Sequence, residues 1–273
     1  MFKYSGQIVK MTTKFDHPIG YSLPIGNEFI QLNEFIGHEI TIDFKGDIYC
    51  IECNTKIKKT FMQGFCYPCF INSPYTSECI LKPHLCQAHD GIARDMDWAK
   101  KHCLDTHYVY LALTSNLKVG VTRSTQIPTR WIDQGAHFAI KFAKTPNRYL
   151  AGLIEIEISK HISDRTQWTR MLKKDFEYCD LKEKKEHYKK LLPKKLQEYI
   201  SQSEQIFELQ YPDYAKFNTI KSVNLDKTPQ VIGQFTGIKG QYLIIDNKYV
   251  MNVRKYTGYV LNIAFSDLAY NPI

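Results

Sequence analysis

The run Tyr108-Val109-Tyr110-Leu111-Ala112-Leu113-Thr114-Ser115-Asn116-Leu117-Lys118-Val119-Gly120-Val121 decides the fold. Apolar, aromatic and β-branched residues fill both arms, and the Thr-Ser-Asn cluster between them has the chemistry of a tight turn, so the run reads as a β-hairpin. Downstream, Pro128, Arg130, Trp131 and Ile132 predict a helix that stops at Gly135, a natural position for a left-handed residue after a helix end. Residues 138–143 read as a strand. Thr145 as cap and Pro146 at the first helical position then open a second helix carrying Leu150, Leu153, Ile154, Ile158 and Ile162 at helical spacing. The alternation Ile154-Glu155-Ile156-Glu157-Ile158 fits a strand as well. Ser163 is placed to cap a further helix with Trp168, Met171 and Leu172 on one face. The central order is therefore strand, strand, helix, strand, helix.

Outward from this centre the patterning turns to β at both ends. Short apolar runs such as Ile40-Thr41-Ile42-Asp43-Phe44 alternate with Gly and Pro turns before residue 49, and Tyr242-Leu243-Ile244-Ile245 and Tyr249-Val250-Met251 do the same near the C-terminus. Residues 182–195 hold seven lysines against two glutamates and read as a solvated helix face, broken at Pro193. The expectation is an α+β protein in four parts: a β unit (1–49), a cysteine-rich zinc-binding region with a zinc ribbon (50–106), an α/β module with a three-stranded sheet (107–180), and a basic helical segment followed by a second β unit (181–273).

The chain has 273 residues, 44% hydrophobic and 23% charged, which excludes a disordered or fibrous protein. Lysine and arginine number 36 against 28 acids, and the resulting +8 suits a phosphate-bearing partner. No apolar stretch reaches the ~18 residues a membrane span requires, and the first residues carry charges where a signal peptide has its apolar segment. The reading is a cytoplasmic protein with no membrane partner.

Eight cysteines in such a chain should be thiols or metal ligands, because reducing compartments keep disulfides rare. Cys50-x-x-Cys53 and Cys66-x-x-Cys69 are separated by twelve residues, the length of a short hairpin, and four thiolates close a tetrahedral zinc site with no position left for water. Such a Zn2+ is structural; an iron–sulfur cluster is the weaker rival. A second group follows in Cys79, His84, Cys86, His89, His102, Cys103 and His107, from which Cys79, Cys86, His89 and Cys103 make a candidate second zinc site. The alternative there is small apolar thiols and buried histidines in a core. Cys179 has no partner pattern.

Tyr110, Lys118, Arg130 and a glutamate of the last helix are placed where they could converge, and this arrangement resembles the GIY-YIG nuclease superfamily over residues 107–170. Val109-Tyr110 stands for the end of the first motif of that superfamily and Lys118-Val119-Gly120 for the second; Arg130 matches its arginine and Glu155 its glutamate, with Glu157 close behind. No Gly-Ile precedes Tyr110, and Lys118 replaces the second tyrosine. The resemblance implies metal-dependent phosphodiester hydrolysis. Glu155 would hold one Mg2+, Arg130 would contact the non-bridging oxygens, and Tyr110 or a neutral Lys118 would take a proton from water. The longer run from Cys79 to Trp168, with Leu117-Lys118-Val119-Gly120-Val121-Thr122-Arg123 and Pro128-Thr129-Arg130-Trp131-Ile132-Asp133-Gln134-Gly135-Ala136, is similar to a bacterial family known as domain of unknown function 2797. That name implies no activity. Three functions fit: a nuclease acting on DNA or RNA, a non-catalytic nucleic-acid-binding module on the same scaffold, and a protein-interaction module.

Overall fold

The computed structural model describes residues 1–162 and 166–269, so the cap expected at Ser163 lies outside the described residues. The chain forms two compact units, residues 1–71 with 210–273 and residues 72–209. It enters the first through β1 (Phe2–Gln7), β2 (Thr12–Lys14), β3 (Gly20–Ile25), β4 (Glu28–Gln31) and the long β5 (His38–Ile48), then passes the first cysteine pairs to α1 (Tyr67–Asn72).

The second unit starts with single-turn helical segments, including Pro83–Leu85, and then α2 (Met96–His102). Asp95 caps α2, its Oδ1 accepting from Trp98 N at 2.9 Å. The hairpin forms where its sequence places it, as β6 (His107–Leu113) and β7 (Leu117–Arg123), followed by α3 (Thr129–Asp133) and β8 (Phe138–Thr145). Gly135 has φ +69°, and a β-carbon there would come within 2.3 Å of Met171 Sδ, so both backbone and packing require glycine.

The next helix, α4 (Arg148–Ser159), settles the strand-or-helix ambiguity at 154–158. Its cap is Asn147 and not Thr145: Asn147 Oδ1 accepts from Leu150 N at 2.9 Å, while Thr145 is the last residue of β8 and its hydroxyl donates to Asn147 O. Ala151, Ile154 and Ile158 are fully buried and pack on Val109, Leu111, Val119, Ile140 and Phe142 from one face of the sheet. Each of the two isoleucines contributes roughly 1.5–3 kcal/mol of burial. Beyond α5 (Trp168–Leu172), the lysine-rich segment is α6 (Leu181–Leu191) and α7 (Lys194–Gln197), divided at Pro193. Its face is not wholly solvated. Lys185 is 1% exposed, and its ammonium donates to the carbonyls of Ser201 and Ser203 and to Glu204. Then β9 (Ile206–Glu208) pairs with Phe138–Ile140 as a fourth strand where three were expected, giving the order β7-β6-β8-β9.

The chain returns to the first unit through β10 (Lys221–Ser222), β11 (Gln230–Lys239), β12 (Tyr242–Ile245), β13 (Tyr249–Asn252) and β14 (Tyr259–Ala269). The expected separation of two β ends is corrected here, because they share one seven-stranded sheet of order β1-β14-β5-β11-β12-β13-β10. β14 lies between β1 and β5, with Phe2 opposite Phe265 and Ile42 opposite Ile263. Alternate residues Ile40 and Ile42 face the same core as Leu261, Ile263 and Phe265, and Phe35 stacks on Phe265 at 4.1 Å.

The sheet module and the cysteine-rich turns of the second unit meet at Gly152, where a β-carbon would lie 2.1 Å from His84 N. Gly152→Ala must push α4 off the 83–85 turn, and the expected loss is roughly 1–3 kcal/mol, read as a lower urea midpoint.

Candidate metal centres and central polar cluster

The four cysteines of the first pairs come together, their sulfurs all within 4.8 Å of one another. Cys53 Sγ and Cys66 Sγ are 3.7 Å apart. That is far longer than a disulfide and close to the ~3.8 Å edge of a tetrahedron of sulfurs around zinc. Backbone amides complete the knuckles: Cys66 N–H points at Cys50 Sγ (3.2 Å) and Cys69 N–H at Cys66 Sγ (3.5 Å). Asn54 after the first pair and Gly64 before the second have φ of +55° and +119°, and Ile51 N donates to Gly64 O at 3.0 Å, which folds the pairs onto each other. Hydrogen bonding to Thr55 draws the Cys53 thiol down to about 6, so a thiolate is available at neutral pH. The donor set fits a closed Zn2+ site.

The second centre collects Cys79, Cys86 and Cys103, again within 4.8 Å of one another, from the turn at 78–80, the end of the turn at 83–85 and the end of α2. These three thiols fit zinc. His89 does not join them. Its ring stacks on Tyr149 at 4.3 Å, and Nε2 lies 3.4 Å from the Asp90 carboxylate. His102 is flat against Trp98 at 4.2 Å, with Nδ1 2.9 Å from Trp98 O. Arg148, 8% exposed at the start of α4, donates to Cys79 O (3.2 Å) and His102 O (3.0 Å). Its charge favours ionised sulfur at all three cysteines. Hydrogen bonds from the Cys103 and Cys79 thiols draw Cys86 strongly down, making it the thiolate that the other two share.

Tyr110 and Lys118 lie on the sheet face away from the α4 core, whereas Glu155 belongs to α4 itself. Tyr110 pairs with Gly120 and Ala112 with Lys118, so Tyr110 and Lys118 are diagonal neighbours on one face. A β-carbon at Gly120 would fall 2.5 Å from Tyr110 Oη, which explains the glycine beside the tyrosine. Tyr110 is fully buried, its ring edge-on to Trp131. Its Oη accepts from Gln134 Nε2 at 2.8 Å, and Arg130 also hydrogen-bonds it. Burial outweighs these donors and holds the phenol above its usual range, so it is protonated at neutral pH. Glu155 is near enough to act electrostatically on the phenol, whereas Glu157 is bound to Lys160 at 2.6 Å, which separates the two candidate glutamates. Lys118 is 9% exposed. Thus Arg130 joins Tyr110 by a hydrogen bond, Lys118 is its diagonal neighbour and Glu155 reaches the phenol through its charge alone, and the partner that sequence reasoning missed is Gln134, whose role depends on where α3 docks. Lys141 completes this face, over the Tyr108 ring at 4.9 Å and the Phe207 ring at 5.7 Å.

His107, 1% exposed at the start of β6, is a buried titratable group within electrostatic reach of Arg148. Its Nδ1 is 2.8 Å from Asp105 O, and its Nε2 has no partner. Burial, with Arg148 and Arg123 adding repulsion, pushes it from 6.5 down to about 4. A depressed histidine supports folding above the unfolded value and loses that support as pH falls towards the folded one. Denaturation curves should therefore show stability declining between pH 6.5 and about 4, with a shallower decline in that window for His107→Gln.

No curated protein and no solved structure matches the chain. No helix among the described residues is long and apolar enough to cross a membrane. A family model described as protein of unknown function (DUF2797) matches residues 37–261, most of the length over which the sheets, both cysteine centres and the Tyr110 cluster are built, and the chain belongs to that family.

Proposed function

We propose that the chain is a zinc-binding protein that associates with nucleic acid and uses its central module, a scaffold of GIY-YIG type, to bind and not to cleave. The observation that carries the reading is the rim of the four-cysteine centre. Lys58 and Lys59 are exposed there, Lys59 lies over the Phe61 ring at 5.2 Å, and Tyr67 is 58% exposed. Cations beside accessible rings supply the two contacts that nucleic acid offers without regard to sequence, phosphate charge and base faces. The formal +8 of the chain favours the same partner.

A second reading, Mg2+-dependent hydrolysis at Tyr110, Lys118, Arg130 and Glu155, is supported by the hydrogen bond between Arg130 and the Tyr110 hydroxyl and by the charge of Glu155 acting on the same phenol. Against it stands the burial of Tyr110, which keeps water from the group that would take its proton and holds that group protonated. Zinc-loaded protein should bind structured RNA or DNA with an affinity that falls linearly in log–log plots against salt. Lys58→Ala/Lys59→Ala should make that slope shallower by roughly one for each phosphate no longer neutralised. Binding indifferent to salt would remove the reading, and divalent-dependent cleavage abolished in both Arg130→Ala and Glu155→Ala would put hydrolysis in its place.

A further inference from the structure

We infer that the Cys79–Cys86–Cys103 centre is an open three-thiolate metal site whose fourth ligand enters from outside the chain, and that the class of ligand it fits is a small thiol bound as its thiolate. This rests on the reading that the three cysteines hold zinc and goes beyond it. At the first centre four sulfurs converge, whereas among the described residues only three ligand atoms meet at the second. The histidine with the natural spacing, His89, is stacked on Tyr149 with its Nε2 turned to Asp90, and His102 is held against Trp98.

All three cysteines line a cavity of about 280 Å³ whose other walls include Leu85, Ile92 and Trp98, with Gln87 and Arg94 among the polar groups. A water needs only ~10–15 Å³ of such space, so the cavity admits a larger ligand beside the metal. The Trp98 indole N–H is buried and has no acceptor within the protein.

Charge and softness select the ligand. Three thiolates on Zn2+ leave one net negative charge, which faces the buried guanidinium of Arg148 bonded to Cys79 O and His102 O. A metal already bound by three soft donors is a weak acid towards water and prefers a further soft donor, and the apolar walls favour a carbon-bearing one. On binding, the incoming S–H gives its proton to solvent, the sulfur takes the fourth position, and no electron is transferred.

The test uses the full chain, kept reduced with a phosphine and loaded with Co2+ to two ions per chain, then titrated with 2-mercaptoethanol while its d–d and sulfur-to-cobalt absorption is followed. The expected result is a saturable shift at one of the two cobalt ions with no loss of metal, and a His89→Ala protein with the same metal count and the same shift. A spectrum indifferent to the thiol but altered by His89→Ala would mean that histidine closes the site, overturning the inference and sparing the metal reading. Cobalt released by the thiol without a saturable shift would also overturn it. A metal count unchanged by Cys86→Ser would instead remove the metal reading on which the inference rests.

Discussion

Three sulfur atoms drawn from separate segments lie within 4.8 Å of one another beside a buried arginine, and the second unit is organised around that contact. Packed thiols repel as soon as they ionise, so the arrangement requires positive charge among them. Arg148 supplies part of it and ties the turn at Cys79 to the end of α2. Because Arg148 is the first residue of α4, and α4 fills the hydrophobic face of the sheet with Ala151, Ile154 and Ile158, the cysteine centre and the sheet core share one helix. Gly152 completes the contact by letting the backbone of the 83–85 turn lie against that helix. A metal ion would supply the remaining positive charge.

On the opposite face of the same sheet, burial decides what the polar cluster can do. Gln134 and Arg130 both hydrogen-bond the Tyr110 hydroxyl, which solvent does not reach. A group so placed is well suited to fixing the position of an arginine or a glutamate and poorly suited to exchanging protons. The nuclease-like order of residues therefore accompanies a geometry in which the Tyr110 hydroxyl is buried and held protonated. The glycine of the Lys118-Val119-Gly120 motif has its reason in packing, since the Tyr110 ring lies where a side chain at residue 120 would stand.

What was legible in the sequence is local. The hairpin of β6 and β7 forms because its alternation and its turn lie within a few residues, and the four-cysteine centre because its pairs are near in sequence. Gly135 ends α3 as its position implied. What was not legible depends on distant partners. The pairing of β14 with both β1 and β5 joins residues more than two hundred positions apart, and no short pattern encodes that register. The capping role passes from Thr145 to Asn147 because pairing with β6 extends β8 through Thr145. His89 leaves the expected ligand set because the Tyr149 ring, from α4, offers it a stacking partner. Lys185 leaves the solvated face because carbonyls at Ser201 and Ser203 converge on it.

Whether the cysteine clusters hold metal is tested most directly by weighing the protein twice, under native conditions and after denaturation with a chelator in the absence of reductant. Two zinc ions bound per chain in the native spectrum, with every cysteine returning as a free thiol in the denatured one, is the result this structure predicts. A native mass equal to that of the bare polypeptide, or one short of it by two hydrogens for each disulfide formed, would contradict it.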